Sequence, residues 1–279
     1  MKYKRYSGVV VPMVTPLHAD FRVDTAAVGR LVRLFAQHHI DPLVLGTTGE
    51  SPSIGAKESK RLLRTAVTAK SEGQLIYAGL VGNQVEELIL RGKWYLEQGA
   101  DAIVATLPSY YTLSPVQMEQ FYLQLADGIG GPLMIYNIKA TTQMSIPLDV
   151  VQRLSKHPHI VGLKDSERDE QRMHACIEMF RERDDFSYFC GWGAMGAASL
   201  LAGADGIVPS TGNVVPHLYG ALYESFLKGD REQCELYQRQ TDEVAVKYQS
   251  GLTLGQSLAR LKELMHEQGL CGTTMMPPL

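Results

Sequence analysis

Hydrophobic and polar positions along the chain follow two periods in turn. Short, nearly continuous apolar runs, typical of buried strands, lie at residues 8–14, 43–45, 75–78, 102–106, 132–136, 160–163, 186–190 and 206–208. Between the runs, apolar residues recur at helical spacing, as in the segment that carries Val28, Leu31, Val32 and Phe35 after a predicted N-cap at Asp24. The pattern therefore predicts eight strands, each followed by a helical segment.

This alternation also predicts the fold class. Apolar strands that alternate with helices are typical of a parallel sheet covered by helices. Eight such units in 279 residues favour a (β/α)8 barrel, the TIM barrel, over an open doubly wound sheet. No GxxxxGK[ST] motif is present, which removes the usual support for a P-loop nucleotide-binding fold.

The pattern changes near residue 230, after which only helical periodicity remains. Helices are predicted over residues 232–248 and 253–268, the second with Leu254, Leu258, Leu261 and Met265 along one stripe. We expect residues 1–229 to form the barrel and catalytic domain. Residues 230–279 are expected to form a C-terminal helical appendage that packs on the barrel or at a subunit contact.

Composition narrows the class of function. The net charge of −3 and the lack of any run of lysine or arginine argue against nucleic acid and anionic lipid as partners. No stretch approaches the ~20 apolar residues of a membrane span, and the apolar run after the basic residues 1–6 is too short for a signal sequence. The four cysteines lack CxxC spacing, which favours a reducing compartment, and the protein is expected in the cytoplasm.

Lys164 is the strongest candidate for chemistry. It directly follows the predicted strand 160–163, and barrel enzymes place their active sites at the carboxyl ends of the strands. Loss of hydration beside an apolar run disfavours a charged ammonium group, and the neutral amine can attack a carbonyl carbon. The alternative is that Lys164 pairs with Asp165 or faces solvent.

Other polar residues follow the predicted strands at the same end. They are Thr47 and Thr48, Tyr110 and Tyr111, Tyr136 and Asn137, Gly191, and Ser210 with Thr211. Each also has a structural interpretation: a turn that caps a helix, aromatic side chains at a subunit contact, or a core tyrosine with a hydrated hydroxyl. Taken together, one lysine with several phenols and hydroxyls suits imine formation and proton transfer. The histidines are dispersed and no ligand spacing recurs, so no metal is expected.

Three motifs carry a resemblance to a known family. The segments Gly46–Glu50, Tyr136–Asn137 and Gly162–Asp165 stand in the order and spacing of the dihydrodipicolinate synthase/N-acetylneuraminate lyase family, which the chain resembles over nearly its whole length. The resemblance implies a class I, metal-free aldolase or lyase on a (β/α)8 barrel that needs no cofactor. Its substrates would be pyruvate or another 2-keto acid together with an aldehyde.

The resemblance also implies roles for single residues. Lys164 would form the Schiff base with the 2-keto acid, and Tyr136 would be the acid and base. Thr47 would link Tyr136 to Tyr110 in a proton relay, with Tyr110 supplied by a neighbouring subunit. The family therefore implies a homo-oligomer, a tetramer built from dimers.

Three further positions are implied to surround the substrate. Thr48, with Thr47, would hold the carboxylate of the 2-keto acid through hydroxyl and backbone N–H groups. Gly191 and Val208 would place their backbone around Lys164.

The chain departs from the family where the second substrate is chosen. After Tyr136-Asn137 the synthases have a proline and, shortly after it, an arginine; Lys139 and Thr141 stand at these positions. Threonine cannot make a charged bidentate contact with a carboxylate, and whether Lys139 supplies the charge is left open.

Three hypotheses follow. The first is an aldolase for a 2-keto-3-deoxy sugar acid or a 4-hydroxy-2-oxo acid, which suits the missing arginine. The second is dihydrodipicolinate synthase, which condenses pyruvate with aspartate semialdehyde. The third, from another class, is a non-catalytic protein that binds 2-keto acids.

Overall fold

Eight parallel strands form the centre of the protein. The structure, a computed structural model, describes residues 4–279, so the first three residues of the basic N-terminal stretch lie outside it. The strands close into a barrel in chain order. They are β1 (Gly8–Pro12), β2 (Ile40–Val44), β3 (Tyr77–Leu80), β4 (Ala102–Thr106), β5 (Leu133–Asn137), β6 (Ile160–Asp165), β7 (Ser187–Cys190) and β8 (Gly206–Ile207). The predicted (β/α)8 barrel is confirmed.

The α-helices surround the strands and continue after them. They are α1 (Thr25–Gln37), α2 (Ala56–Ala69), α3 (Val85–Glu97), α4 (Pro115–Ile129), α5 (Lys139–Thr142), α6 (Leu148–Leu154), α7 (Glu170–Phe180), α8 (Gly196–Ala202), α9 (Pro216–Leu227), α10 (Arg231–Gln249) and α11 (Leu254–Glu267). Asp24 caps α1 as predicted, because its carboxylate accepts from the N–H of Ala27. The sequence analysis missed α5, and it gave no bounds for the helical segment after the eighth strand, which is α9.

Two predicted strands are displaced along the chain. The second was expected at residues 43–45, whereas β2 covers Ile40–Val44. The third strand was expected at residues 75–78, whereas β3 covers Tyr77–Leu80. The residues before it make other hydrogen bonds: the Gln74 amide donates to the carbonyls of Val32 and Ile40, and the N–H of Leu75 donates to Asp41. These contacts fix the approach to the strand rather than the strand itself.

The first of two compact units contains the described residues up to Gly8 and Ala78–Val208. Its strands pair in register, so that Thr106, Tyr136, Lys164 and Phe189 stand side by side on β4 to β7. At the amino ends of β7 and β8, Lys4 Nζ lies 2.9 Å from the Asp205 carboxylate. This partly buried ion pair ties together the strand ends that lie opposite Lys164.

The second unit contains Val9–Tyr77 and Pro209–Leu279. Within it, β1 and β2 pair from Val9 and Ile40 onwards. The Asn213 side chain accepts from the N–H of Val14 and donates to the carbonyl of Pro12, which ties the turn after β8 to the end of β1. The helices α9, α10 and α11 all belong to this unit. The domain boundary between residues 229 and 230 stays a prediction.

Candidate active site

Lys164 lies inside β6 and not beyond its end, which corrects the predicted strand of residues 160–163. The strand continues to Asp165 because both of its neighbours pair with it there, Tyr136 and Asn137 on β5 and Phe189 and Cys190 on β7. Only 4% of Lys164 is exposed. The amine is therefore withdrawn from bulk water at the carboxyl end of a central strand.

The Lys164 amine contacts the ring face of Tyr136. Lys164 Nζ lies 3.8 Å from the centroid of the Tyr136 ring, and Tyr136 is itself buried. Within residues 4–279, no carboxylate lies at ion-pair distance from this nitrogen. The ring face attracts a positive charge, by about 0.5–2 kcal/mol in such contacts. A protonated imine at Nζ would carry the same charge and gain the same contact.

Asp165 does not serve as the partner of Lys164. Successive side chains of a strand point to opposite faces, and the Asp165 carboxylate turns to Arg172, whose Nε lies 2.7 Å away. It also accepts from Asn137 Nδ2 at 3.0 Å and from the N–H of Glu167 at 2.9 Å. The alternative interpretation, in which Lys164 pairs with Asp165, is wrong.

A second carboxylate extends this network beside β5 and β6. Glu167 accepts from the Ser145 hydroxyl at 2.5 Å and from Asn137 at 3.0 Å, and it lies 3.4 Å from Lys139 Nζ. Burial would raise the pKa of Glu167, but the hydrogen bonds from Ser145 and Asn137 and the charge of Arg172 hold it below its ordinary value. The sequence analysis missed this network; its signals were Asn137 and Asp165, each within a quoted motif.

Gly191 directly follows β7, the neighbour of β6, and Val208 directly follows β8. The N–H of Gly191 donates to the Asp165 carbonyl at 2.6 Å, and the N–H of Val208 donates to the Cys190 carbonyl at 2.8 Å. A Cβ at position 191 would collide with the Ser166 side chain and would lie 3.0 Å from the Asp165 carbonyl oxygen. Glycine is therefore required for the close approach of β7 to the end of β6.

Tyr110 and Tyr111 lie far out on the surface of the first unit. Tyr110 is 80% exposed, and its ring packs edge-on against Tyr111 with 5.0 Å between centroids. Within residues 4–279, no hydrogen bond joins the Tyr110 hydroxyl to the hydroxyl of Tyr136. A single chain thus does not bring these two predicted relay members together.

Thr141 lies on the short helix α5, which directly follows β5. Its hydroxyl donates back to the Ile138 carbonyl at 3.3 Å, as does its N–H at 3.2 Å. On the same helix, the Lys139 side chain is 60% exposed and pairs with Glu167. Neither side chain reproduces the arginine of the synthase pattern.

Thr47 and Thr48 belong to the second unit and form the turn after β2. The next two N–H groups close this turn: Gly49 donates to Gly46 at 3.1 Å and Glu50 donates to Thr47 at 3.1 Å. The N–H groups of Thr47 and Thr48 donate to no acceptor among residues 4–279. Adjacent unpaired N–H groups in a turn form a concavity that suits an anion.

Ser210 and Thr211, after β8, are already used within the second unit. Their hydroxyls lie 2.8 Å and 2.9 Å from the phenol oxygen of Tyr248 on α10. They therefore join the turn after β8 to the C-terminal helices.

No helix in the described part of the chain is both long enough and apolar enough to cross a membrane. Among residues 4–279, no three His, Cys, Asp or Glu side chains are grouped so that they could hold a metal ion.

The chain is similar to proteins of one known family. Residues 5–279 match the model of the Dihydrodipicolinate synthetase family. The 4-hydroxy-tetrahydrodipicolinate synthase of Alkalilimnicola ehrlichii is 30% identical over 98% of this chain and 92% of its own length. The synthase of the same name from Alcanivorax borkumensis is 34% identical over 81% of this chain and 76% of its own length.

Solved structures give the same result. Dihydrodipicolinate synthase from Bacteroides thetaiotaomicron superposes with a TM-score of 0.92 at 26% identity, over 100% of this chain and 94% of its own. YagE, a prophage protein of the dihydrodipicolinic acid synthase family from Escherichia coli K12, solved in complex with pyruvate, superposes with a TM-score of 0.92 at 25% identity. That match covers 98% of this chain and 92% of YagE.

Proposed function

Since the chain belongs to the dihydrodipicolinate synthetase family and is an enzyme of the aldolase-like lyase type, we propose that it forms a Schiff base between Lys164 and pyruvate or a related 2-keto acid. The observation that carries this proposal is the buried Lys164 amine, 3.8 Å from the Tyr136 ring centroid and without a carboxylate partner in the described chain. An amine that is not held in an ion pair is available to a carbonyl carbon.

The chemistry follows from the imine. Lys164 Nζ attacks the keto carbon of pyruvate, and loss of water gives a protonated imine. This imine withdraws electrons from the neighbouring methyl group. The methyl carbon then loses a proton, and the imine becomes an enamine. The enamine carbon attacks the carbon of an aldehyde, forms the new carbon–carbon bond, and water then releases the product from Lys164. The reverse sequence breaks the same bond.

Tyr136 is the proposed acid and base for these proton transfers, since it contacts the lysine. Thr47 is proposed to relay protons between Tyr136 and Tyr110, and Tyr110 is proposed to come from a neighbouring subunit. The high exposure of Tyr110 in one chain supports a homo-oligomer, a dimer or a dimer of dimers. Its family and its cysteine spacing support a cytoplasmic location.

The N–H groups of Thr47 and Thr48 are proposed to hold the carboxylate of the 2-keto acid. They are unpaired among the described residues, and an anion would satisfy both of them. Gly191 and Val208 are proposed to shape the backbone next to the imine.

For the second substrate, we propose a neutral, hydroxylated aldehyde, so that the adduct with pyruvate is a 2-keto-3-deoxy sugar acid or another 4-hydroxy-2-oxo acid. The Thr141 hydroxyl is turned to Ile138, and Lys139 is engaged by Glu167, so this edge of the barrel offers no free bidentate cation for a second carboxylate. A carboxylate placed here would also approach the negative Glu167 side chain.

A second candidate is 4-hydroxy-tetrahydrodipicolinate synthase, which condenses pyruvate with aspartate semialdehyde. The names of the relatives from Alkalilimnicola ehrlichii and Alcanivorax borkumensis favour it. Lys139 would then have to leave Glu167 to meet the carboxylate of the aldehyde.

Borohydride reduction in the presence of pyruvate, followed by peptide mass spectrometry, tests the imine. We expect a reduced pyruvyl adduct on Lys164 that is absent from Lys164→Ala, with Lys139→Ala as a control that retains it. Absence of the adduct on folded protein that still binds pyruvate would contradict the proposal and favour a non-catalytic binding protein. Supplying pyruvate with aspartate semialdehyde or with sugar-type aldehydes then identifies the partner that is consumed.

A further inference from the structure

A fully buried ion pair lies directly after the Thr47–Thr48 turn. Lys262 Nζ on α11 lies 2.6 Å from Glu50 Oε1, and the exposed fractions of Glu50 and Lys262 are 1% and 0%. Taking two charges out of water costs several kcal/mol for each ion, which their attraction recovers only with good geometry and further hydrogen bonds. Because a pair of this kind contributes little net stability, we ask which segments of the fold it holds in place.

Both ends of the pair are also bonded to the end of the chain. The second oxygen of Glu50 accepts from the N–H of Met276 at 2.6 Å. Lys262 Nζ donates to the carbonyl of Thr274 at 2.7 Å. The ion pair thus joins three segments of the second unit: the turn after β2, the helix α11 and residues 274–276.

The turn that the pair supports has unusual backbone geometry. Leu45 and Glu50 lie on either side of it, with φ of 56° and 59°. These values fall in the left-handed region, which residues other than glycine rarely adopt. Such residues persist only where the surroundings fix them, and they concentrate at functional sites. The contacts of the Glu50 side chain with Lys262 and Met276 can hold the Glu50 backbone in this conformation.

We propose that Glu50 and Lys262 are positioning residues that keep the N–H groups of Thr47 and Thr48 aimed at the carboxylate of the 2-keto acid. This inference rests on the proposed function of those N–H groups. Because Glu50 directly follows the turn that carries these N–H groups, loss of the pair should weaken substrate binding first, with a smaller effect on kcat through the proposed relay residue Thr47. The C-terminal segment thereby acquires a role in the active site in addition to packing.

The test replaces both charges together. Glu50→Gln with Lys262→Met removes the ion pair without leaving a buried charge unpaired, and such replacements often leave stability unchanged. We expect the KM for pyruvate to rise about 10- to 100-fold, as for small misplacements of binding groups, and kcat at saturating pyruvate to change much less than KM. Lys4→Met with Asp205→Asn, which removes the partly buried pair at the amino ends of β7 and β8, is the control and should leave KM unchanged.

A folded double variant with the KM of the wild type would overturn the inference. If the double variant does not fold, Glu50→Asp decides: it keeps the charge and shortens its reach, so a raised KM supports the inference and an unchanged KM refutes it. The dissociation constant of pyruvate, measured by titration calorimetry, separates the two proposals. Failure to trap an adduct on wild-type Lys164 contradicts the Schiff base, whereas weaker pyruvate binding by the double variant still supports positioning.

Discussion

Asp165 and Arg172 form an ion pair with 2.7 Å between Oδ2 and Nε, and both side chains are buried. Asp165 adjoins Lys164 in the chain, yet its charge is directed to α7 on the other face of β6. This arrangement leaves the Lys164 amine without a carboxylate while it fixes the strand that carries it.

The first prediction concerns the stability of this pair. Arg172→Met leaves the Asp165 carboxylate buried and without its cation, so we expect the free energy of unfolding to fall by about 3–5 kcal/mol. Urea denaturation at neutral pH measures it. Arg260→Met, which removes an exposed pair with Glu263, should cause no measurable change. Equal effects of the two substitutions would show that the buried pair has no special weight.

The second prediction is a pH dependence. Because the pKa of Glu167 is lower in the folded state than its ordinary value of 4.5, its charge stabilises the fold above that pH, and the contribution is lost as the pH falls through the lowered value. Glu167→Gln keeps the shape and removes the charge. Its deficit in unfolding free energy should be present at pH 7 and pH 5 and shrink below about pH 4.5. A deficit that is constant down to pH 3 would contradict the assignment.

The third prediction tests the phenol of Tyr136. Tyr136→Phe keeps the ring face that contacts Lys164 Nζ but removes the proton carrier, so kcat should fall by about 10²- to 10⁴-fold. The borohydride-trapped adduct should still form, more slowly. Tyr122→Phe, which removes a buried phenol that donates to the Ala105 carbonyl, is the control and should change stability without changing kcat. Full activity of Tyr136→Phe would exclude it as the acid and base.

The fourth prediction separates two neighbouring phenols. Tyr110 and Tyr111 are both exposed and pack edge to edge, but only Tyr110 is assigned to the relay. Tyr110→Phe should lower kcat by about 10-fold or more, since it interrupts proton transfer, whereas Tyr111→Phe should leave it near the wild-type value. Steady-state kinetics gives the comparison, at a protein concentration high enough for the subunits to associate. The reverse order would reassign the relay.

The fifth prediction concerns the aldehyde. Thr141→Arg restores the cation of the synthase pattern on α5, and a charge-assisted contact with a carboxylate is worth about 1.5–3 kcal/mol. We expect kcat/KM for aspartate semialdehyde to rise about 10-fold or more, with little change for uncharged aldehydes. Gln143→Arg, on an exposed side chain of the same segment, is the control. No gain with Thr141→Arg would remove the missing arginine as the explanation of specificity.

The alternation of strands and helices could be predicted from the sequence because each has its own pattern of apolar residues. Strands are continuous apolar runs, whereas helices carry apolar residues at helical spacing. Barrel strands are buried on both faces, so even short runs such as Ala102–Thr106 stood out, and the predicted and observed bounds of β4 agree. The helix α5 was missed because four residues are too few for a period to be seen. The start of β3 was misplaced because the Gln74 and Asp41 side chains, and not hydrophobicity, fix the segment before it.

The sequence alone therefore determined the fold class and the candidate residues at the ends of the strands, since both follow from periodicity and from the geometry of parallel barrels. Only the tertiary structure decided which charges meet. It directed Asp165 to Arg172 and away from Lys164, and it placed Lys139 on Glu167. It also joined Glu50 to Lys262 across more than two hundred residues. Ion pairs depend on distance in space, and the spacing of residues along a chain does not encode that distance.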